Sequence, residues 1–390
     1  RWTYREYGER IDRLAAGLLS LGIEPGDRVG IWAPNCYEWC LVQFATARIG
    51  AILVNVNPAY RVFELEYALN KSGCKALVTA ERFKSSHYVA MLQDLAPELA
   101  DCEPGSLKAE KLPNLEIVIR MGAERTPGML GFDNVCAMGT EADLQRLDTI
   151  GGELSPQDVI NIQFTSGTTG NPKGAALTHY NILNNANQVS QGMRFTEHDR
   201  LCIPVPMYHC FGMVLGKMAC VVNGAAAIFP SDAFEAGAVL ETVEAERCTA
   251  LHGVPTMFIA ELEHPEFDRF DLSTLRTGIM AGAPCPVEVM KKVISRLHME
   301  EVLIAYGQTE CSPVNHMTLA DDPIEKRVES VGHAVPHIEV KIVGDDGETV
   351  PVGQPGDICS RGYAVMNGYW DDPERTAETV DEDGWLHSGD

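Results

Sequence analysis

The sequence predicts an α/β protein made of two βαβ-type sheet lobes and a small antiparallel, β-barrel-like module. Apolar, strand-like runs alternate with helix-like segments up to about residue 330, which is typical of parallel βαβ units. After Ser330 the helical spacing ends, and residues 338–342 alternate apolar and charged side chains, as in an antiparallel strand with one exposed face. A chain of 390 residues is also longer than one hydrophobic core usually supports. We therefore expect two α/β lobes over residues 1–330 and the small β module over residues 331–390.

The first lobe begins with the best-marked helix of the chain. Thr3 and Glu6 have the spacing of a capping box, and Gly22 follows the last apolar residue of the helical pattern. The other predicted elements of this lobe are strands at 28–32, 51–55, 76–79 and 115–119 and helices at 37–49, 62–71 and 83–95.

The second lobe continues the alternation. Its predicted elements are helices at 180–193, 234–246 and 286–298 and strands at 201–205, 249–251, 275–280 and 302–305. Residues 213–229 form the most apolar long run, but Lys217 and Asn223 interrupt it and Gly216 and Gly224 break it. A core helix followed by a strand fits this pattern better than a membrane span.

Composition excludes several classes of function. The net charge is −24, with acidic residues scattered along the chain, which argues against a nucleic-acid partner or an anionic membrane surface. The twelve cysteines are spread out and contain no C-x-x-C pair, so we expect buried thiols in a reducing compartment rather than disulfides or a zinc site. We therefore expect a cytoplasmic location. Because the sequence starts at Arg1, the loss of an organellar targeting segment stays open as an alternative.

The most informative stretch is the glycine loop, residues 164–174. It places three glycines, several hydroxyl side chains and one lysine between two apolar runs. Glycines allow backbone N–H groups to approach a ligand closely, and the hydroxyls and the lysine suit a polyphosphate. Pro172 and Gly174 exclude a Walker A loop, and a hairpin without a ligand remains open from this stretch alone. The phosphate-binding candidates are Thr165, Ser166, Gly167, Thr168, Thr169, Gly170 and Lys173.

Further motifs follow predicted strands. They are PMYHCFG (206–212), MAGAP (280–284) and YGQTE (306–310), and the chain ends with DGWLHSGD (383–390). In open α/β sheets, ligands bind beyond the carboxyl ends of the strands. We expect these segments to meet at such an edge.

Together these segments resemble the adenylate-forming superfamily, which contains acyl-CoA synthetases, luciferases and the adenylation domains of peptide synthetases. The matching segments occur in the family's order and span most of the chain: TSGTTGNPKG (165–174), PMYHCFG (206–212), MAGAP (280–284), YGQTE (306–310), RGYAVMNGYW (361–370) and DGWLHSGD (383–390). Within the superfamily the chain is most similar to the medium-chain acyl-CoA synthetase branch.

The resemblance implies a reaction in two halves. A carboxylate, expected to belong to a fatty acid, attacks the α-phosphate of ATP, pyrophosphate leaves, and coenzyme A then captures the acyl group of the acyl-adenylate. ATP, Mg²⁺ and coenzyme A are the implied cofactors and co-substrates, and catalysis rests on positioning and charge stabilisation. Two alternatives stay open, namely an acyl-AMP or aryl-AMP ligase with another acceptor and a non-catalytic nucleotide-binding protein.

The resemblance also implies a role for each motif. The glycine loop and Lys173 would hold the β- and γ-phosphates, and Thr309 would bond the α-phosphate. Glu310 would bind Mg²⁺, and Asp390 would accept hydrogen bonds from the ribose hydroxyls. The adenine site would be lined by Gly282, Ala283, Pro284 and Tyr306, and Gly307 is a further ATP-binding candidate. Taken singly, Glu310 could be a solvated acid and Tyr306 a core residue.

His209 is the candidate gate between the acyl pocket and the nucleotide, although a structural role for a lone histidine stays open. Val254 and Met257 are expected to form the pocket wall, and Pro255 suits the start of a helix. Relatives that activate amino acids usually carry an aspartate within the stretch that reads Tyr208-His209-Cys210 here. Its absence favours a fatty or aromatic acid as the substrate.

Two expectations concern the whole protein. Members of the family continue past the terminal aspartate into a small mobile domain that carries a second lysine, and we expect that domain to follow Asp390 outside this chain. The expected partners are small molecules, and we expect no nucleic-acid partner. We also expect no membrane span, and a homodimer is left open.

Overall fold

A computed structural model of the chain describes residues 1–165 and 172–390. These residues form two compact units. The first consists of residues 1–179 with 369–372, and the second of residues 180–368 with 373–390.

The first unit is a sheet with flanking helices. Its helices are α1 (Tyr4–Ser20), α2 (Tyr37–Arg48), α3 (Val62–Ser72), α4 (Tyr88–Leu95), α5 (Phe132–Met138) and α6 (Glu141–Glu153), with a 3₁₀ turn at Pro97–Ala100. Its strands are β1 (Arg28–Trp32), β2 (Ile52–Asn55), β3 (Ala76–Thr79), β4 (Arg82–Phe83), β5 (Ser86–His87), β6 (Ile117–Arg120), β7 (Leu130–Gly131), β8 (Val159–Thr165) and β9 (Lys173–Thr178).

The main sheet of this unit has the strand order β19-β9-β8-β2-β1-β3-β6-β7, in which β19 is Gly368–Tyr369 and its Tyr369 belongs to this unit. From β9 to β7, all pairs except β8–β9 are parallel. The predicted βαβ alternation is thus confirmed. The core on one face of the sheet includes Trp32 and Tyr88, both fully buried, whose rings stack with centroids 3.7 Å apart.

The start of the chain forms as its sequence predicts. The Thr3 hydroxyl accepts a hydrogen bond from the Glu6 N–H at 3.2 Å, and the Glu6 carboxylate accepts one from the Thr3 N–H at 2.7 Å. This is the predicted capping box, and α1 begins directly after it.

The predicted helix at 83–95 is wrong in its first half. Residues 82–87 form the β4–β5 hairpin, and the helix begins only at Tyr88. Lys84 has a φ of 50°, and a right-handed helix cannot pass through a residue in the left-handed region. The turn at Lys84 therefore separates the hairpin from α4.

The second unit contains the remaining elements. Its helices are α7 (His179–Gly192), α8 (Ala219–Asn223), α9 (Ala236–Glu246), α10 (Pro255–Leu262), α11 (Val287–Arg296), α12 (Ile324–Glu329) and α13 (Pro373–Thr379), with a π-helical segment at Phe211–Met218 and 3₁₀ turns at Phe267–Arg269 and Thr309–Cys311. Its strands are β10 (Arg200–Cys202), β11 (Ala226–Ile228), β12 (Ala250–Leu251), β13 (Thr277–Ala281), β14 (Glu301–Gly307), β15 (Val314–Met317), β16 (His333–Ala334), β17 (Ile338–Val343), β18 (Asp357–Gly362) and β20 (Leu386–His387).

The larger sheet of this unit has the order β11-β10-β12-β13-β14-β15-β16. Its pairs are parallel from β11 to β14, and β15 and β16 add to the edge in antiparallel pairing. Because parallel strands run in one direction, the carboxyl ends of β10, β12, β13 and β14 lie along the same edge of the sheet.

The long apolar run forms a buried helical segment and a strand, as predicted. Its buried first half is Phe211–Met218, followed by α8 and β11. Within residues 1–165 and 172–390, none of the helices combines the length and the apolar character that crossing a bilayer requires.

The small module is a three-stranded sheet with the order β17-β18-β20, and both of its pairs are antiparallel, as predicted. In the part of the chain that the structure describes, this sheet is open rather than closed into a barrel. The expectation that the module has no helix is wrong, because α13 precedes β20. None of the residues of α13 is buried, so it lacks the apolar periodicity that predicts a helix, and Pro373 at its first position starts it instead.

Candidate active site

The ends of the glycine loop belong to paired strands of the first unit. Thr165 on β8 pairs with Lys173 on β9, and the Thr165 hydroxyl donates to the Lys173 carbonyl oxygen at 3.4 Å. The loop candidates Ser166, Gly167, Thr168, Thr169 and Gly170 lie outside the described residues. The two candidates that the structure does describe, Thr165 and Lys173, are both half-buried.

Lys173 lies against an aromatic ring. Its Nζ is 4.6 Å from the centroid of the Tyr369 ring, within the range of a cation–π contact. The backbone around it is held on both sides. The Trp370 N–H donates to the Gly174 carbonyl oxygen at 2.7 Å, and the Tyr67 hydroxyl donates to the Pro172 carbonyl oxygen at 3.2 Å. These contacts hold the one cationic candidate of the loop in a defined place.

In the second unit, the remaining candidates follow strand ends. The segments with His209, Val254, Gly282 and Gly307 follow or end β10, β12, β13 and β14, respectively. They therefore lie along the common edge of the sheet, which is where the sequence predicts a ligand site.

Tyr306 and Asp390 are brought together although 84 residues separate them in the chain. The Tyr306 hydroxyl donates to Oδ2 of Asp390 at 2.6 Å. Burial raises the pKa of Tyr306, and the Asp390 carboxylate raises it further, so this hydroxyl keeps its proton and remains a donor. The candidates for the adenine and ribose sites are thus in direct contact.

Asp357 holds the turn that carries Asp390, and sequence reasoning missed it. Its Oδ1 accepts hydrogen bonds from the Ser388 hydroxyl at 3.1 Å and from the Gly389 N–H at 2.9 Å. The Ser388 hydroxyl also accepts from the Asp390 N–H at 3.1 Å. No motif in the chain marks Asp357, because its role depends on the pairing of β18 with β20.

Gly282 and Val254 lie side by side. Gly282 has a φ of 85°, and a Cβ at this position would lie 3.3 Å from Cγ1 of Val254. Val254 precedes α10, and the Met257 N–H donates to its carbonyl oxygen at 2.9 Å in the first turn. The exposed residues Gly282, Ala283 and Pro284 thus adjoin the predicted wall of the acyl pocket.

Gly307, Thr309 and Glu310 form a tight turn at the end of β14. A Cβ at Gly307 would lie 2.0 Å from the Pro313 carbonyl oxygen, so only glycine fits there. Thr309 is half-buried, and Glu310 is buried at 8% exposure within the 3₁₀ turn. A buried carboxylate at a sheet edge supplies the oxygen ligands that Mg²⁺ prefers, so this residue fits the predicted metal.

His209 is exposed, and its Nδ1 accepts a hydrogen bond from the Phe211 N–H at 3.2 Å. The surrounding protein atoms lower the pKa of His209, because they displace the water that would hydrate an imidazolium. Because Nδ1 accepts this hydrogen bond, the neutral form of the ring carries its proton on Nε2. The same hydrogen bond satisfies the Phe211 N–H at the start of the segment Phe211–Met218, which is a structural role of the kind that the sequence left open.

The model of the AMP-binding enzyme family matches residues 1–370 of this chain. The chain belongs to the AMP-binding enzyme family. This match confirms the resemblance that the six sequence segments indicate.

Two relatives of this AMP-binding enzyme are similar along its whole length. One is YngI of Bacillus subtilis (strain 168), named "Putative acyl-CoA synthetase YngI", with 50% identity over 391 residues. The other is "Medium-chain acyl-CoA ligase ACSF2, mitochondrial" of Bos taurus, with 46% identity over 396 residues. Each alignment covers 100% of this chain, which spans 71% of the length of YngI and 64% of the length of bovine ACSF2.

A solved structure shares the fold of this AMP-binding enzyme. It is the inhibitor-bound N-terminal domain of FACL13 from Mycobacterium tuberculosis, with a TM-score of 0.85 and 26% identity. The comparison covers 100% of this chain and 89% of the other. The predicted fold class, with two α/β sheets and a small antiparallel module, is confirmed.

A second histidine of this AMP-binding enzyme, His252, was not singled out from the sequence. It follows β12 and is fully buried, with Nε2 3.0 Å from the Leu215 carbonyl oxygen. Its Nδ1 accepts from the Ile279 N–H at 3.1 Å, which places the proton on Nε2. Burial lowers the pKa of His252 to about 4. This neutral ring joins β13 to the segment Phe211–Met218, and no sequence pattern marks such a bridge.

Proposed function

We propose that the protein is an acid–thiol ligase that activates a carboxylic acid with ATP. The acid would become an acyl-adenylate with release of pyrophosphate, and the acyl group would then pass to coenzyme A. The observation that carries the proposal is the hydrogen bond between Tyr306 and Asp390, beside the turn of Thr309 and Glu310. It brings together, at one strand end, the residue types that suit an adenosine with its α-phosphate.

In the proposed complex, Asp390 binds the ribose. A carboxylate has about four lone-pair sites, so Asp390 can accept from both ribose hydroxyls while it accepts from Tyr306. The bond from Tyr306 and the support of the turn by Asp357 hold the Asp390 segment before ATP binds, which reduces the entropy lost on binding.

The proposed phosphate contacts come from Lys173, from Thr309 and from a metal ion at Glu310. Lys173 would bind the β- and γ-phosphates, and Thr309 would donate to the α-phosphate. Mg²⁺ held by Glu310 would offset negative charge on the phosphates during attack. The substrate carboxylate would form a bond to the α-phosphorus while the bond to pyrophosphate breaks, so the protein needs no nucleophile of its own.

For the substrate, we propose a medium-chain fatty acid. Val254 and Met257 are apolar and half-buried, and the stretch Tyr208-His209-Cys210 contains no acid for a substrate ammonium group. The name of the bovine relative, a medium-chain acyl-CoA ligase, supports a medium length for the acyl chain of the substrate. We retain His209 as the proposed gate to this pocket.

The cellular compartment belongs to the proposal as well. All twelve cysteines are free, which is typical of a reducing compartment. The cytoplasm remains the predicted location of this protein. Because the name of the bovine relative is mitochondrial, an organelle is the alternative location.

The test measures pyrophosphate and thioester formation by the whole protein with saturated fatty acids of graded chain length. We expect pyrophosphate only when ATP, Mg²⁺ and an acid are all present, acyl-CoA when coenzyme A is added, and the highest rate with medium-chain acids. Pyrophosphate without thioester would instead support an acyl-AMP ligase. ATP binding without pyrophosphate for any acid would support a non-catalytic nucleotide-binding protein.

A further inference from the structure

Three potential metal ligands converge in the small β module. Cys359 on β18 lies directly opposite His387 on β20, and Asp357 lies two residues before Cys359, so all three side chains share one face of the sheet. The Cys359 Sγ is 3.3 Å from Nδ1 of His387, and that nitrogen is 3.1 Å from Oδ2 of Asp357. The third distance, from Sγ to Oδ2, is 3.7 Å.

These three distances match the edges of a metal tetrahedron. With bonds of about 2.3 Å to sulfur and about 2.0–2.1 Å to nitrogen and oxygen, ligand atoms around a tetrahedral Zn²⁺ lie roughly 3.3–3.6 Å apart. The observed separations differ from that range by only a few tenths of an ångström, which small side-chain rotations can close.

The residues around the cluster orient its ligands. Oδ2 of Asp381 is 3.5 Å from Nε2 of His387, so Nε2 faces a carboxylate while Nδ1 faces the other two ligands. A carboxylate on the remote nitrogen is the usual second partner of a zinc-bound histidine. Asp357 is fixed through its other oxygen by Ser388 and Gly389.

We propose that Asp357, Cys359 and His387 bind a divalent transition-metal ion of the zinc type, with the fourth position open to water. Thiolate and imidazole ligands favour Zn²⁺ over Mg²⁺, so this site is chemically distinct from the ATP-linked Mg²⁺ at Glu310. The side chains of Asp357 and His387 are 29% and 37% exposed, which gives an ion access from solvent, whereas Cys359 is fully buried behind them.

Binding would release the thiol proton of Cys359. Burial and the nearby Asp357 carboxylate raise the pKa of Cys359 to about 11, so its thiol keeps its proton in the metal-free protein. When the sulfur–metal bond forms, the S–H bond breaks and the proton passes to solvent, while Asp357 and Nδ1 of His387 donate lone pairs without any redox change. The proposal replaces the expectation, drawn from cysteine spacing, that the chain has no zinc site. Spacing misses it because strand pairing joins residues that are 28 apart.

The test uses the whole protein, freed of metal with a chelator and then titrated with Co²⁺ as a spectroscopic probe for Zn²⁺. We expect a thiolate-to-Co²⁺ charge-transfer band that saturates at one ion per chain and is displaced by Zn²⁺ but not by Mg²⁺. Cys359→Ser and, independently, His387→Asn should each abolish the band. Cys220→Ser removes another fully buried thiol of the same unit and should leave the band unchanged.

The experiment measures metal binding rather than ligase activity. Its result therefore does not depend on whether the proposed function is correct. No charge-transfer band in the wild-type protein, or a band that persists in folded Cys359→Ser, would overturn the site and leave the cluster as a hydrogen-bonded network. If Cys359→Ser does not fold, the partly exposed His387 decides the question, because its replacement by Asn leaves the buried thiol in place.

Discussion

At the scale of single residues, the bond from Tyr306 to Asp390 is the contact most specific to the proposed nucleotide site. The Tyr306→Phe variant keeps the ring and removes only the hydroxyl that donates at 2.6 Å. A partly exposed hydrogen bond to a carboxylate contributes about 1 kcal/mol, so we expect ATP to bind roughly 5-fold more weakly. Isothermal titration calorimetry with ATP measures the effect.

The matched control for this variant is Tyr180→Phe, which removes an exposed tyrosine hydroxyl from α7 of the same unit. It should leave ATP affinity unchanged. Equal losses of affinity in both variants, or no loss in Tyr306→Phe, would contradict a role for the Tyr306–Asp390 pair.

Lys173 offers a second test at this scale, in the first unit. The Lys173→Ala variant removes the positive charge beside the Tyr369 ring, and we expect ATP binding to weaken about 10-fold or more, since a lysine on a phosphate contributes at least about 1.4 kcal/mol. Lys291→Ala, on the exposed face of α11, is the control. ATP affinity that is unchanged in Lys173→Ala would remove the glycine loop from the proposed site.

At the scale of elements, His252 joins β13 to the segment Phe211–Met218 as a neutral ring. Its pKa is lowered from 6.5 to about 4, so the unfolded chain binds more protons than the folded one between these values. Stability is therefore complete above pH 6.5 and falls as the pH decreases towards 4, by about 1.4 kcal/mol per pH unit.

The corresponding prediction compares wild type with His252→Gln, which retains an amide N–H near the Leu215 carbonyl oxygen but does not titrate. The advantage in unfolding free energy of wild type over the variant should shrink by about 2 kcal/mol between about pH 7 and about pH 5. Urea unfolding at both pH values measures it, with the exposed His198→Gln as the control. A difference that does not change with pH would contradict the buried, neutral state of His252.

The elements also show how far the sequence predicts the fold. Strands such as Arg28–Trp32 and the capping box of α1 follow from local patterns, and the structure contains them as predicted. Helix α13 was missed because it buries no residue, and the hairpin before α4 because it depends on the left-handed turn at Lys84. In these cases the apolar pattern carries no information about the backbone.

In the candidate site, too, some residues could be predicted from the sequence and others could not. The strand-end segments with Tyr306 and Glu310 could be predicted, because their motifs are contiguous in the chain. Asp357 and His252 could not, because the first acts through the register of β18 with β20 and the second through a bridge between distant elements. Their importance depends on tertiary structure, which no local window of sequence reports.

At the scale of the whole molecule, the overall charge bears on the proposed binding of ATP. A chain with a net charge of −24 repels ATP at long range, so binding has to rest on local donors and on Mg²⁺. The proposal assigns the local donors to Lys173 and Thr309, and the Mg²⁺ to Glu310.

The most direct measurement of this central claim is the exchange of labelled pyrophosphate into ATP, without coenzyme A, by the whole protein. Because exchange requires reversible formation of an acyl-adenylate, we expect it only with Mg²⁺ and a fatty acid present, and we expect at least 10-fold slower exchange in Lys173→Ala than in Lys291→Ala. Exchange that is absent with every acid tested, although ATP binds, would contradict adenylate formation by this protein.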